Sequence, residues 1–279
     1  NEDYVDAIIR ITEGNPRIAY MAGRLAKAEQ SLSAINDATQ LYESYYTKFL
    51  VSSAITTDRD LCLAASVISL LHTINLSDIK PLESLLDKLN MNQELFFKMI
   101  YRLCEDEFVE IKLDKVATIS DQCLRNYMLY YAFCKKRIVP YSELLEIGFR
   151  SFRNGIVKAT SILWNIFCSS EVHDYLSSEI EKVWDIYKEE GGEIFYEFVK
   201  YFHDFRSEEV LLIVKDRIEA VDADKINIDE IDFSKDKYHT EDVIIEMLSG
   251  YCNRTLLPEA VELMCEYCLL YTSPSPRDR

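Results

Sequence analysis

The chain has 279 residues, 48% of them apolar, and a formal charge of −17 at neutral pH. Length and apolar content suffice for two or three small cores, while the acidity argues against a nucleic-acid surface as the main purpose, because such surfaces need a basic face. No run of about 18 apolar residues occurs, so no membrane span is expected. With only 7 Gly and 6 Pro and apolar residues recurring three and four apart, the expected fold class is mainly α.

The N-terminus, Asn1-Glu2-Asp3-Tyr4, has neither an initiator Met nor the look of a signal peptide. The sequence therefore reads as a cytoplasmic protein entered partway through. Residues 3–12 set Tyr4, Val5, Ile8, Ile9 and Ile11 on one side of a short helix. Gly14 ends it, and Pro16 suits the first position of the next helix, where a missing N–H costs nothing. That helix, 16–28, carries Ala19, Ala22, Gly23 and Ala26, small residues that allow a neighbour to pack closely. A helix over about 35–55 follows, with Ala38, Leu41, Tyr42, Tyr45 and Phe49 as its apolar face, and "TTDRD" (56–60) is a polar junction.

From residue 59 the pattern predicts a helix through "LCLAASVISLLHTI", a short one through "PLESLLDKL" and a third through "NQELFFKMIYRLCEDE". Two strand-like pieces, "FVEIKL" and "VATIS", flank an Asp114-Lys115 turn. Three helices and a small β-hairpin in this order predict a winged helix. The third helix carries Glu94, Lys98 and Arg102 and runs into Glu105, Asp106 and Glu107, an acidic end poorly suited to DNA phosphates.

Beyond 120 the chain reads as helices near 121–135, 141–153, 155–169, 171–189, 193–205, 207–221, 241–252 and 257–267, an α-helical arm or solenoid. The acidic stretch 222–242 is a connector. Phe195, Tyr196, Phe198, Tyr201, Phe202 and Phe205 have core spacing, and Trp164 and Trp184 are expected as core anchors. His72, His173, His203 and His239 share no metal or catalytic spacing. Cys265 and Cys268 form a CxxC, but without a second such pair the cysteines read as small hydrophobes. The stretch "CLLYTSPSPRDR" (268–279) leaves the helical pattern and resembles a translated transposon-end sequencing adapter, which would make the last twelve residues non-native.

Two patches carry candidate chemistry. In "ITEGNPRIAYMAGRLA", Gly14 lets the backbone approach a ligand. The helix start at Pro16 turns unpaired N–H groups and partial positive charge outward. Arg17 is then within reach of a phosphate oxygen. Plain helix capping is the other reading of the same residues. In "ATISDQCLRNYMLYYAF", Ser120 or Asp121 is placed to cap the helix that follows.

The first patch resembles the lid-helix motif of the AAA+-like signal-transduction ATPases with numerous domains, the STAND NTPases. The order of lid helices, winged helix and helical arm is similar to that family over residues 1–267. The resemblance implies that Gly14, Asn15 and Pro16 lie near the adenine and ribose of ATP or ADP, with Arg17 at the sensor-2 position toward the phosphates. Ile119-Ser120-Asp121 resembles the family's Met-His-Asp element, with Ser120 in place of the ADP-contacting histidine. It further implies a lid at 1–57, a winged helix at 58–120, a sensor-proximal arm at 121–267 and a non-native tail at 268–279. No phosphate-loop motif and no Mg²⁺-binding acidic strand end occur in the sequence. An upstream NTPase core would therefore hold Mg²⁺ and nucleotide, joined in cis to an effector domain. The implied protein is a nucleotide-switched signalling ATPase of bacterial antiphage defence that senses a protein ligand through its C-terminal helices and assembles as a homo-oligomer. The rival is a winged-helix transcriptional regulator or helical interaction scaffold without nucleotide.

Overall fold

Helix-forming periodicity governs nearly the whole chain, and a computed structural model shows what it builds. The structure describes residues 5, 6, 8, 9, 15–29, 37–52, 54–220, 243–251 and 255–271; Gly14, most of the first predicted helix, the 222–242 connector, His239 and residues 272–279 lie outside them. It is mainly helical with one small three-stranded antiparallel sheet and separates into two units, 1–183 and 184–279.

In the first unit, α1 (Pro16–Glu29) packs on α2 (Ala38–Ser52). Helix α1 buries Ile18, Met21, Ala22 and Leu25, the i, i+3, i+4, i+7 stripe of an amphipathic helix. Of the small residues expected at this contact, Ala22 is buried, whereas Gly23 is exposed with open space around it. The stripe of α2 is also rotated from its expected position. It runs through Leu41, Tyr42, Tyr46 and Leu50, while Phe49 stays 39% exposed and stacks on Phe108.

Helix α3 (Arg59–Leu71) is capped by Asp58, whose carboxylate accepts from the Asp60 and Leu61 amides. Its residues Leu61 to Leu70 are all buried, so it is the axis of this unit, with α5 and α6 packed against it. Ser66 and Ser69 survive in that setting because their hydroxyls donate to the carbonyls of Cys62 and Ala65, which removes the cost of a buried unpaired hydroxyl. The helix stops before the expected Ile74. His72 turns to φ 64°, and Thr73–Asn75 becomes strand β1. β-Branched Thr73 and Ile74 pair better with a strand than they propagate a helix; Thr73 stands opposite Thr118 and Ile74 opposite Ala117.

A 3₁₀ turn (Lys80–Leu82) leads into α4 (Glu83–Lys88), then α5 (Gln93–Glu105), β2 (Glu110–Lys112) and β3 (Val116–Thr118). Asn92 caps α5 through the Leu95 amide, and Phe96, Met99, Ile100 and Leu103 are its buried stripe. The sheet order is β1-β3-β2, all antiparallel. The hairpin turn falls on Leu113 and Asp114, both at positive φ, one residue earlier than predicted. Helix–strand–helix–helix–strand–strand in this order is the topology of a winged helix, with one strand more than the sequence pattern revealed.

Next come α6 (Gln122–Leu129), continuing as a π-helical segment through Lys135, then α7 (Tyr141–Ser151), α8 (Arg153–Ile166) and α9 (Ser170–Glu190). The buried Glu179 of α9 accepts from both the amide and hydroxyl of Ser142 at the start of α7. Trp164 is only half-buried; its ring stacks on His173 at 4.0 Å instead of entering the core.

The second unit holds the end of α9 with α10 (Gly192–Phe202), α11 (Ser207–Glu219), α12 (Val243–Ser249) and α13 (Leu257–Tyr271). Gly191 and Gly192 take φ of 68° and 73°, values that glycine adopts without strain, and turn the chain from α9 into α10. Trp184, Phe195, Phe198 and Phe202 lie in the core as expected, joined by Tyr187; Tyr196 and Phe205 are only half-buried and Tyr201 faces outward. Helix α13 continues through Cys268 to Tyr271, four residues beyond the expected break, because Cys, Leu and Tyr all sustain a helix and the Ser/Pro sequence begins only at Thr272.

Candidate functional site

The two patches singled out in the sequence lie side by side. Arg17 Nη1 donates to Oε1 of Gln122 at 2.7 Å, linking the first turn of α1 to the start of α6, a sequence separation of 105 residues.

Each side is built by its own cap. Asn15 Oδ1 accepts from the amides of Arg17 at 3.0 Å and Ile18 at 3.3 Å, while the Ala19 amide donates to the Asn15 carbonyl. Pro16 has no N–H to offer. The expectation of unpaired amides facing outward is therefore corrected: Asn15 consumes them, as an N-cap does. What the helix start presents is the Arg17 side chain. It is exposed, and no carboxylate lies in the first turn of α1. Among the described residues Arg17 forms no ion pair, and the partner described for it, the Gln122 amide, is neutral.

On the facing side, Ile119 is buried and its carbonyl is held by the Arg125 guanidinium, which fixes the chain as it leaves β3. Asp121 is the cap of α6, its Oδ1 accepting from the amides of Cys123 at 2.8 Å and Leu124 at 3.1 Å. Its Oδ2 accepts from the Tyr46 hydroxyl at 3.2 Å, tying α2 to the same junction. Ser120 does not cap. Its hydroxyl instead lowers the pKa of the Glu110 carboxylate on β2, as the foremost influence on that group.

Behind this polar edge lies a tyrosine cluster. Tyr46 and Tyr127 stack at 5.5 Å, and Tyr130 stacks on Phe167 at 4.5 Å. Burial, and then the Asp121 carboxylate, push the Tyr46 hydroxyl far above its ordinary pKa, so it is a permanent donor at neutral pH. Burial likewise raises the Cys123 thiol, against the opposing influence of Tyr42 and Arg17. Glu43 accepts from both the Tyr130 hydroxyl and Lys135, a second polar link from α2 to the π-helical segment. The sequence patterns missed Tyr46, Gln122 and Glu43. Tyr46 looked like one more apolar residue, and nothing in the local pattern marks Gln122 as the residue that meets Arg17.

Cys265 and Cys268 are both exposed on α13. Gly14 lies outside the described residues. Among the described residues the site thus consists of one cation without a carboxylate partner on a capped helix, facing an acid-capped helix start. No family model matches the chain, and comparison with curated proteins and with solved structures gives no match either.

Proposed function

We propose that the chain is the lid, winged helix and beginning of the sensing arm of a nucleotide-switched STAND-type signalling ATPase. Arg17 is its contact to the phosphates of ATP or ADP, and Asn15 and Pro16 shape the turn beside it. One observation carries the reading: an exposed guanidinium with no described carboxylate partner is held by the neutral Gln122 at the junction of α1 and α6. A phosphate offers Arg17 a charge-assisted pair, which Gln122 does not. The residues fit an anion, and only through this side chain, since Asn15 occupies the neighbouring amides. The phosphate loop, Mg²⁺ ligands and effector belong to another part of the protein.

In this reading Arg17 exchanges Gln122 for nucleotide as the lid moves relative to α6, and a protein ligand bound by the helical arm biases that exchange. A shift between two states needs differential binding of about a few kcal/mol, within the range of one charged contact plus the Tyr46–Asp121 and Glu43 links. The transcription-factor alternative is weaker on this fold. On α5, Arg102 is paired with Asp58 at 2.8 Å, leaving Lys98 on a helix that begins with Glu94 in its first turn and ends at Glu105 and Asp106, a poor match to DNA phosphates.

In the protein carrying its nucleotide core, Arg17→Ala is expected to weaken ATP-dependent activation. Gln122→Glu, which gives Arg17 a competing carboxylate, is expected to lower the ATP response as well. Nucleotide affinity and activation unchanged in both variants would overturn the assignment.

A further inference from the structure

Helices α11 and α13 of the second unit leave between them an open groove of about 480 Å³. Its floor is leucine: Leu211 and Leu263 lie beneath, and Leu212, 64% exposed, stands at the edge. Its rim is acidic. Glu259, Glu262 and Glu266 form one stripe along α13, with Glu208 of α11 at the same groove. Lys215 is the one cation lining it, and it lies 4.0 Å from Glu219 on its own helix. Among the described residues none of the four rim carboxylates forms an ion pair.

Carboxylates three and four residues apart on a helix repel, and an exposed leucine beside them is paid no compensation by the fold. Both features are relieved together by one kind of occupant. We propose that this groove binds a basic amphipathic helix of a partner protein. Apolar residues at i, i+3, i+4 and i+7 fill the leucine floor, and flanking Lys or Arg residues meet the glutamates. Charge selects against the alternatives. A second copy of this chain brings another −17, and the 222–242 connector carries eight acids against three lysines. The proposal names the surface and chemistry of the protein ligand in the reading above and rests on that reading for its signalling role alone. Binding to the groove requires no nucleotide, so its failure is separable from failure of the Arg17 test.

The test uses the 279-residue chain and a fluorescent helical peptide with leucine at the four stripe positions and lysine elsewhere, compared by anisotropy with a scrambled peptide of equal composition. The patterned peptide should bind saturably and at least about tenfold more tightly than the scramble. Leu212→Asp should remove at least about tenfold of that affinity, with an unchanged helical circular-dichroism signal because the side chain is exposed. Glu262→Lys with Glu266→Lys should do the same, while Glu189→Lys, an exposed acid of the same unit that does not line the groove, should not. Equal binding of the scramble, or indifference to Leu212→Asp, would overturn the proposal. So would binding that appears only once residues 221–242 are deleted, because the groove would then belong to that segment.

Discussion

The junction of α2 with α6 and the core of the second unit are both aromatic, but tyrosine dominates the first and phenylalanine the second. The junction is built from tyrosines 42, 46, 127 and 130, and the hydroxyls of Tyr46 and Tyr130 reach Asp121 and Glu43. The second core sets Phe195, Phe198 and Phe202 against Trp184, with the ring of Tyr187 edge-on to Phe198. A phenylalanine cluster has one way to satisfy itself, by exclusion of water and edge-to-face packing. A tyrosine cluster bordered by carboxylates has polar bonds that solvent or a ligand can replace at modest net cost. The first arrangement fixes a shape; the second lets a contact be exchanged. That difference is the physical reason for our proposal that contacts are exchanged at the junction and not in the second core.

The contrast is open to being broken by mutation. The largest effect is expected from Phe198→Ala, fully buried, which should destabilise the second unit by about 3–5 kcal/mol, read from chemical denaturation. A loss nearer 1 kcal/mol would mean that this core yields as easily as the junction.

An intermediate effect belongs to Glu179, which sharpens the comparison because it is a polar contact that is buried. Burial alone would raise its pKa, but the bonds from Lys182 and Ser142 together outweigh burial and hold the carboxyl below its ordinary value. Folding therefore favours the ionised form. That stabilisation is complete above the ordinary carboxylate pKa of about 4.3 and disappears as pH falls through the lowered folded value. Glu179→Leu, which strands the Ser142 amide, should cost about 1–3 kcal/mol at neutral pH. Glu179→Gln should flatten the acid limb of a plot of Tm against pH, and an unaltered limb would remove Glu179 from the account.

The smallest effect is expected at the junction itself. Tyr46→Phe keeps the ring stacked on Tyr127 and deletes only the bond to Asp121, so it should cost about 0.5–1.5 kcal/mol by the same denaturation measurement. A cost matching that of Phe198→Ala would show the junction to be as fixed as the core.

Much of this fold was legible from residue spacing. The apolar recurrence in "LCLAASVISLLHTI" and "NQELFFKMIYRLCEDE" announces α3 and α5, and Ser120-Asp121 announces the start of α6, which Asp121 caps. Those are local properties: periodicity and capping are decided within a few residues, where the backbone's own hydrogen-bond needs are met. Strand β1 was not legible, since three residues become a strand only when Thr118 and Ala117 arrive beside them. The rotation of the α2 stripe from Phe49 to Tyr46 has the same origin, because which flank of an aromatic-rich helix is buried depends on what packs against it. The sequence marked Asn15, Pro16, Arg17, Ser120 and Asp121 as two separate patches. Only the tertiary structure set Arg17 against Gln122 and Tyr46 against Asp121, because contacts between residues 75 and 105 positions apart depend on how whole helices stack, and no local pattern encodes that.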